Sequence, residues 1–176
     1  MKAEFNDSKK IYCVDDGIFP NSVLPALLYR NVLKLPFLFS GNFIKNIFER
    51  NNWSNAWKAG IFTYHHYHSN THEALGVYRG KTKIMLGGES GSMIEIQKGD
   101  VLIISAGVAH KNLGSENQLG VIGAYPGGKK YDIKYGRKDE RPEADINIQN
   151  VKVPETDPIW GAFLGLVKIW NDDSYK

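Results

Sequence analysis

The sequence predicts an all-β domain of sandwich or barrel type, with one short helix near the N-terminus. From Gly60 onward, short segments rich in β-branched and aromatic residues alternate with glycine clusters, a pattern typical of antiparallel β-structure. The 176 residues, 42% of them hydrophobic, suit one globular domain with its own core. We therefore expect residues 1–176 to form a single domain.

The N-terminal third is predicted to contain two strands and the helix. An apolar run at residues 11–14 indicates an edge strand, and the apolar pattern of residues 26–33 favours a second strand, although its length also suits a helix. Apolar residues then recur at three-to-four spacing over residues 41–50, which predicts a helix capped by Ser40. This is the one segment whose pattern favours a helix over a strand. The next aromatic residues are expected in the core rather than against a cofactor: Trp53, Trp57 and Phe62.

The remaining strands are predicted from short β-branched and aromatic segments that lie between glycine clusters. The sequence GGESGS joins two of them, so those two are expected to form a hairpin. The predicted strands are residues 60–68, 73–79, 81–86, 93–97, 101–104, 110–113 and 119–125.

The charge pattern predicts no nucleic-acid partner. The net charge is only +3, and basic residues are interleaved with acidic ones along the chain, so no basic face is expected. The local excess is at residues 129–141, where six basic residues accompany three acidic ones. We expect a solvated loop there in preference to a rim that attracts an anionic substrate.

The expected location is cytoplasmic, and no membrane partner is expected. The first ten residues, MKAEFNDSKK, lack the apolar core of a signal peptide, and the longest apolar run, residues 159–167, is too short for a membrane helix. The single cysteine, Cys13, cannot form an internal disulfide, which fits a reducing compartment. Cys13 is expected to be a small buried hydrophobic residue rather than a catalytic one.

Histidines are concentrated in one short segment, where four of the five fall within residues 65–72. Alternate side chains of a strand share a face, so His66 and His68 are predicted to point together and His65 to point away. After a turn, Glu73 can present its carboxylate beside them, and His110 can arrive from a distant strand. Neutral imidazoles and a carboxylate are typical ligands of transition metals, although the tract could equally be an exposed polar turn.

The glycines around these residues match two motifs of the cupin superfamily, which the chain therefore resembles. Gaps of five, one, four and six residues separate the members of the first motif, and every gap is in register. The second motif is matched with two departures: Ser105 replaces a proline and Gly114 replaces an asparagine. The matched residues are Gly60, His66, His68, Glu73 and Gly80 in the first motif, and Gly99, Gly107 and His110 in the second.

This resemblance implies an antiparallel jelly-roll β-barrel with a metal ion inside one open end, bound by His66, His68, Glu73 and His110. The flanking sequences LLYRNVL, NNWSNAW, GAYPGGKKYD and ETDPIWG resemble the YjlB-like group of single-domain bacterial cupins, so the resemblance covers nearly the whole chain. The two departures affect the turn near His110 and no ligand. Ser105 could form that turn through its hydroxyl.

The expected cofactor is one divalent transition metal: Fe, Mn, Ni, Co or Zn. Four protein ligands leave one or two positions for water or substrate, which indicates a reactive site. No thiolate is in the set, so a soft metal or an iron–sulfur cluster is not expected.

Several nearby polar residues are assigned by strand parity and position. His65 is expected to pack or lie on the outer surface. Asn112 could add a polar group to the interior, or lie on the surface.

Two residues are candidates for proton transfer. Tyr64 would line the pocket and offer a phenol, unless it simply packs in the core, and His72 would carry protons at the pocket mouth, unless it is merely exposed.

The favoured function is a metal-dependent enzyme of dioxygenase or isomerase type that acts on a small organic molecule. Cupins with this ligand set include dioxygenases, oxalate-degrading enzymes and sugar isomerases, and no sequence feature chooses among them. The alternative is a non-catalytic module that binds a metal or a small ligand. A degenerate cupin with a structural metal is the least favoured. Cupins often dimerise through their outer sheets, so the resemblance also admits a homodimer.

Overall fold

The computed structural model describes residues 8–115 and 118–172. Nine strands are present in this part of the chain, together with three α-helices and a 3₁₀ helix at Lys138–Glu140. The α-helices are α1, Ser40–Arg50; α2, Glu143–Asn150; and α3, Leu166–Trp170. The strands are β1, Ser8–Cys13; β2, Ser22–Tyr29; β3, Trp53–Ala59; β4, Glu73–Arg79; β5, Lys81–Leu86; β6, Ser92–Gln97; β7, Val101–Ile104; β8, His110–Asn112; and β9, Gly120–Pro126.

The strands form two antiparallel sheets of jelly-roll type, as predicted. The larger sheet has the order β1-β2-β7-β4-β9-β3, and the smaller one has the order β6-β5-β8. Sequence neighbours such as β4 and β5 therefore lie in different sheets, while β4 pairs with the distant strands β7 and β9. Among the described residues, strand pairing leaves these as two sheets and does not join them into one closed barrel.

Two apolar layers lie on opposite faces of the larger sheet. Leu28, Leu75 and Leu102 contribute to a core shared with residues of the smaller sheet. Leu27 and Ile103 point the other way and pack in a second cluster that includes residues of α1 and α3. A strand buried on both faces has no polar side to alternate with. This explains why residues 26–29 are apolar without a break.

Strand positions follow the predictions closely in the middle of the chain. Strands β4, β5 and β7 have the predicted bounds, and β6, β8 and β9 differ by one residue at one or both ends. Strands β5 and β6 form the predicted hairpin, with Leu86 paired to Ser92. Strand β1 lies at the edge of its sheet, as predicted. Strand β2 begins earlier than predicted and ends at Tyr29.

The predictions for residues 53–68 were wrong in three respects. Residues 60–68 do not form a regular strand, because only His66 and Tyr67 make isolated bridges, with His110 and Lys134. Strand β3, which pairs with β9, was not predicted. Phe62 is 40% exposed instead of belonging to the core. The bridges are isolated because this segment takes its hydrogen-bond partners from different parts of the chain.

The helix predictions need two corrections. Ser40 lies inside α1 and does not cap it: its hydroxyl donates to the carbonyl of Pro36 at 2.6 Å, and the cap position is Phe39. Helices α2 and α3 were not predicted. Helix α3 has only five residues, too few to be stable alone, and its Leu166 and Trp170 are buried in the second apolar cluster.

The prediction that the N-terminus is not a signal peptide rests mostly on residues 1–7, and these lie outside the described residues. Within the described ranges, none of the helices combines the length and apolar character needed to span a bilayer. Cys13 is buried in the core between the sheets, as predicted, and is a free thiol.

Candidate metal centre

Three histidines converge at one end of the space between the sheets. His66 and His110 form an isolated antiparallel bridge, in which the N–H of each residue donates to the carbonyl of the other at 3.2 and 2.9 Å. His68 follows two residues after His66, so its side chain points to the same side. One ring nitrogen from each of the three lies within 4.8 Å of the others, and all three residues are buried.

In each of these imidazoles, Nδ1 lies against a backbone carbonyl oxygen. Nδ1 of His66 lies 3.3 Å from the carbonyl oxygen of Tyr64, and Nδ1 of His110 lies 3.1 Å from that of Val108. Nδ1 of His68 makes a short contact with the carbonyl oxygen of Asp132. A ring that donates its Nδ1–H in this way keeps Nε2 unprotonated, with its lone pair available to a metal ion.

Glu73, the first residue of β4, completes the cluster. It is 2% exposed, and its Oε2 lies 3.6 Å from Nε2 of His68 and 3.4 Å from Nε2 of His110. Its Oε1 accepts a hydrogen bond of 2.8 Å from the hydroxyl of Tyr125. That hydroxyl accepts one of 2.8 Å from the indole N–H of Trp57. One carboxylate oxygen therefore faces the histidines, and the other is held by aromatic residues.

The electrostatics of the cluster favour a cation at its centre. Burial lowers the pKa of His66 to about 3, so its ring is neutral. Burial also opposes protonation of His68, but the Glu73 carboxylate and Asp132 act in the other direction and together raise the pKa of His68. Burial likewise opposes ionisation of Glu73, yet His68 and His110 hold the pKa of Glu73 well below its usual range.

This donor set fits a divalent metal. The structure gives Glu73 no lysine or arginine partner among the described residues, and the groups nearest its carboxylate are the rings of His68 and His110. A buried carboxylate needs such a compensating charge. A divalent cation would supply it and would take the Nε2 lone pairs as ligands.

A cavity of about 220 Å³ adjoins the cluster. Its wall includes all four predicted ligands, and most of the remainder is aromatic or aliphatic. The indole of Trp57 lies across Gly123, where a Cβ atom would approach the ring to 2.1 Å. The other lining residues are Ala59, Gly60, Ile61, Phe62, Leu75, Tyr125, Tyr131 and Ile133.

The segment after β9 contributes to the cavity, contrary to the prediction of a solvated loop at residues 129–141. Tyr131 and Ile133 line the cavity, and Asp132 between them accepts hydrogen bonds from the backbone N–H and the hydroxyl of Ser69. Sequence reasoning missed these residues because basic side chains dominate the composition of the segment. The alternation of apolar Tyr131, Ile133 and Tyr135 with polar residues was the available signal.

His65 packs away from the cluster, as strand parity predicted. Its ring lies 5.3 Å from that of Phe19, measured between centroids, and its Nε2 lies 3.3 Å from Oε1 of Glu89 without hydrogen-bond geometry. Tyr64 is 45% exposed. It stacks on Phe62, with centroids 4.8 Å apart, and is not among the residues that line the cavity.

His72 is buried, so the expectation of an exposed histidine was wrong, and His72 is not among the residues that line the cavity. Its Nδ1 accepts a hydrogen bond of 3.0 Å from the N–H of Ala106, and its Nε2 lies 3.3 Å from the carbonyl oxygen of Lys152. Its ring packs 4.7 Å from that of Trp170. Because it precedes Glu73 by one position on an extended chain, it points to the opposite face of the larger sheet.

Both motif departures, Ser105 and Gly114, make hydrogen bonds in the structure. The hydroxyl of Ser105 donates to the carbonyl of Leu24 at 2.7 Å, so it ties the turn to β2 instead of closing the turn itself. Asn112 is buried, and its Oδ1 accepts hydrogen bonds from the Thr82 hydroxyl at 2.7 Å and the Gly114 N–H at 2.9 Å. Asn112 therefore has a structural place in the interior.

Comparison with known proteins gives one relative of nearly full length. The chain is 42% identical over 165 residues to the uncharacterized protein YjlB of Bacillus subtilis (strain 168), covering 93% of this chain and 97% of that protein. No family model matches the chain.

Solved structures are similar over part of the fold. Acireductone dioxygenase from Bacillus anthracis, with a cadmium ion in its active center, has a TM-score of 0.40 and 14% identity over 53% of this chain and 63% of that one. Oxalate decarboxylase has a TM-score of 0.33 and 24% identity over 46% of this chain and 22% of that one. The matched region thus covers less than two thirds of either protein.

Proposed function

The chain belongs to the family of Bacillus subtilis YjlB, and we propose that it is a metal-dependent enzyme of the cupin superfamily acting on a small organic molecule. The proposed ligands are His66, His68, Glu73 and His110. The observation that carries the proposal is the common orientation of the three imidazoles. Each ring has Nδ1 against a backbone carbonyl, and the three rings converge beside a buried carboxylate.

The ligand chemistry favours Fe, Mn, Ni, Co or Zn. Imidazole and carboxylate suit these divalent metals, whereas softer ions prefer thiolates. Cys13 offers no thiolate to the site: it belongs to the apolar core, and burial raises its pKa to about 11. When bound, a metal of this class supplies Lewis acidity or, for a redox-active ion, electron transfer.

The residues of the chain would position the substrate and keep water out. Glu73 is held in one orientation by Tyr125, so its Oε2 stays directed toward the histidines. The apolar wall limits the water that can enter beside a bound substrate. Tyr64 remains a proposed proton donor, because its ring stacks on the lining residue Phe62. The buried position of His72 does not support the proton-transfer role predicted for it.

The cavity favours an enzyme over a structural metal site. Structural metal sites are usually closed by four protein ligands, whereas reactive ones keep room for a further ligand. Here about 220 Å³ of space borders all four proposed ligands. Dioxygenase-type and isomerase-type reactions both use a small molecule bound next to the metal, and the proposal includes both.

Metal analysis tests the site. Purified protein should contain nearly stoichiometric metal, and a His66→Ala/His68→Ala double variant should lose it. His65→Ala is the matched control, since this neighbouring histidine packs against Phe19. Unchanged metal content in the double variant would remove the basis of the proposal.

Turnover is tested separately. With iron or manganese bound, oxygen uptake is measured with a panel of diols, diketones and small organic acids, and isomerisation is followed by NMR. Substrate-dependent uptake or product formation supports an enzyme. Tight binding of one compound without turnover across the panel would favour the non-catalytic module instead.

The predicted cytoplasmic location and the homodimer remain proposals. The single buried thiol, Cys13, suits a reducing compartment. Light scattering on the purified protein gives the oligomeric state directly.

A further inference from the structure

The wall of the cavity beside the histidines is apolar on nearly every side that the ligands do not occupy. Besides the four proposed ligands and Tyr125, its larger lining residues are Trp57, Ile61, Phe62, Leu75, Tyr131 and Ile133. Leu75 and Ile61 are fully buried members of the core between the sheets. This part of the wall is therefore continuous with the hydrophobic core.

The polar atoms of two aromatic lining residues are already used within the protein. The indole N–H of Trp57 donates to the hydroxyl of Tyr125, and that hydroxyl donates to Glu73. These two residues therefore present mainly ring surface to the cavity. The Nδ1 atoms of the histidines face backbone carbonyls and are likewise engaged. Besides the hydroxyl of Tyr131, the polar side-chain groups left for a ligand lie at the proposed metal centre.

No lysine or arginine is among the described residues that line the cavity. Lys129 and Lys130 precede Tyr131 in sequence, but both side chains are exposed. A ligand with a second carboxylate or a phosphate would have to bury that charge without a partner, which is costly. With a metal bound, the charge of Glu73 is already balanced, so it offers no partner to a second anion.

Aromatic rings provide flat surfaces for a ring-shaped ligand. Tyr125 and Tyr131 stack with centroids 4.5 Å apart and planes inclined by 24°. Tyr131 also meets the ring of His68, with centroids 5.0 Å apart. Aromatic faces of this kind pack well against another ring in offset or edge-to-face arrangements.

We propose that the cavity binds a compact, mostly apolar ligand that carries a ring and a single metal-chelating group, and that it discriminates against dianionic ligands such as dicarboxylates and phosphorylated sugars. This inference rests on the proposed metal site, because the chelating group needs a metal to bind. It narrows the substrate to neutral or singly charged compounds, for which apolar contact adds to the bond at the metal.

Hydroxamates with one common chelating head test this selectivity on the zinc-loaded protein by calorimetry. Benzohydroxamate should bind at least about tenfold more tightly than acetohydroxamate, because its ring is buried against the apolar wall. Succinomonohydroxamate should bind at least about tenfold more weakly than pentanohydroxamate, its uncharged analogue of similar size. Equal affinities within both pairs, or a preference for the carboxylate, would overturn the inference.

Variants at Ile133 test whether the discrimination against a second carboxylate arises at the cavity wall. Ile133→Lys places a cation in the wall and should narrow the gap between succinomonohydroxamate and pentanohydroxamate at least about fivefold. The matched Ile133→Leu variant should keep the gap. Zinc content separates the two proposals: if the protein fails to bind zinc, the proposed metal site is wrong, whereas normal zinc binding without selectivity contradicts this inference alone.

Discussion

The hydroxyl of Tyr125 donates a hydrogen bond of 2.8 Å to Oε1 of Glu73. The two residues face each other on neighbouring strands, β9 and β4, and the indole N–H of Trp57 donates to the same hydroxyl. The bond fixes which carboxylate oxygen turns toward the histidines. Burial and the neighbouring Glu73 carboxylate raise the pKa of Tyr125, so the phenol keeps its proton.

We predict that Tyr125→Phe weakens metal binding about 10- to 100-fold, a loss typical of removing a hydrogen bond behind a ligand. The affinity is measured by competition with a chelator. Tyr131→Phe is the control, since Tyr131 also lines the cavity while the hydroxyl bonded to Glu73 belongs to Tyr125. An equal loss in both variants would mean that packing, and not the bond to Glu73, supports the metal.

Metal binding should depend on pH, because metal and protons compete for the same nitrogens. Glu73 raises the pKa of His68 despite its burial, so the metal-free protein holds a proton there at pH values below that pKa. In that range the apparent affinity should fall about tenfold for each unit that the pH decreases, per displaced proton. Above it, this dependence should disappear.

The measurement is the apparent metal affinity over a pH series, with circular dichroism at each pH to establish that the protein stays folded. Proton release on metal addition in weakly buffered solution gives the number of displaced protons. An affinity that stays constant on acidification while the fold is intact would contradict the assigned role of His68.

Gly107 should tolerate no side chain. It has φ of +92°, and a Cβ atom there would lie 2.2 Å from the carbonyl oxygen of Asn21. Its N–H donates to the carbonyl of His68. We expect Gly107→Ala to lower the free energy of unfolding by about 3 kcal/mol or more, from backbone strain and steric overlap combined.

Gly127→Ala is the control for this prediction. Gly127 also has a positive φ, of +60°, but a Cβ atom there would have open space around it. Strain alone should then cost about 1–2 kcal/mol. Urea unfolding of both variants gives the comparison, and similar losses would show that the contact with Asn21 is not decisive.

Asp157 organises the C-terminal segment that bears α3. Its two carboxylate oxygens accept four hydrogen bonds at 2.6–2.9 Å, from the hydroxyl of Tyr29 and from the backbone N–H groups of Ile159, Trp160 and Leu166. Asp157→Asn replaces one of these accepting oxygens with an NH2 group, which can only donate a hydrogen bond. We therefore expect the free energy of unfolding to fall by about 2–3 kcal/mol.

Tyr29→Phe removes one of the same four bonds and leaves three in place. It should cost about 1 kcal/mol, clearly less than Asp157→Asn. Thermal and urea unfolding measure both variants, and metal content should remain unchanged, since this cluster lies outside the cavity. A Tyr29→Phe variant as unstable as Asp157→Asn would contradict the assignment of Asp157 as the centre of the cluster.

Local sequence signals predicted the strands in the middle of the chain and the four proposed ligands. Glycine-containing turns and runs of β-branched and apolar residues located the ends of β4, β5 and β7 closely, because both signals depend on neighbouring residues only. The spacing of His66, His68 and Glu73 also predicted their convergence, although residues 60–68 form no regular strand. Alternate residues of an extended segment point to the same side even where the segment makes no regular sheet hydrogen bonds.

The environment of the histidines was decided by tertiary structure. Tyr131 and Ile133 line the cavity although their segment has the composition of a solvated loop, and His72 is buried under Trp170 from the far end of the chain. Helix α3 likewise depends on the layer it joins. Contacts between residues this far apart depend on how the sheets pack, so no local pattern in the sequence identifies the two partners. The sequence by itself thus determined the strand pattern and the histidines and glutamate available to hold a metal. Only the packing of distant segments decided what surrounds them.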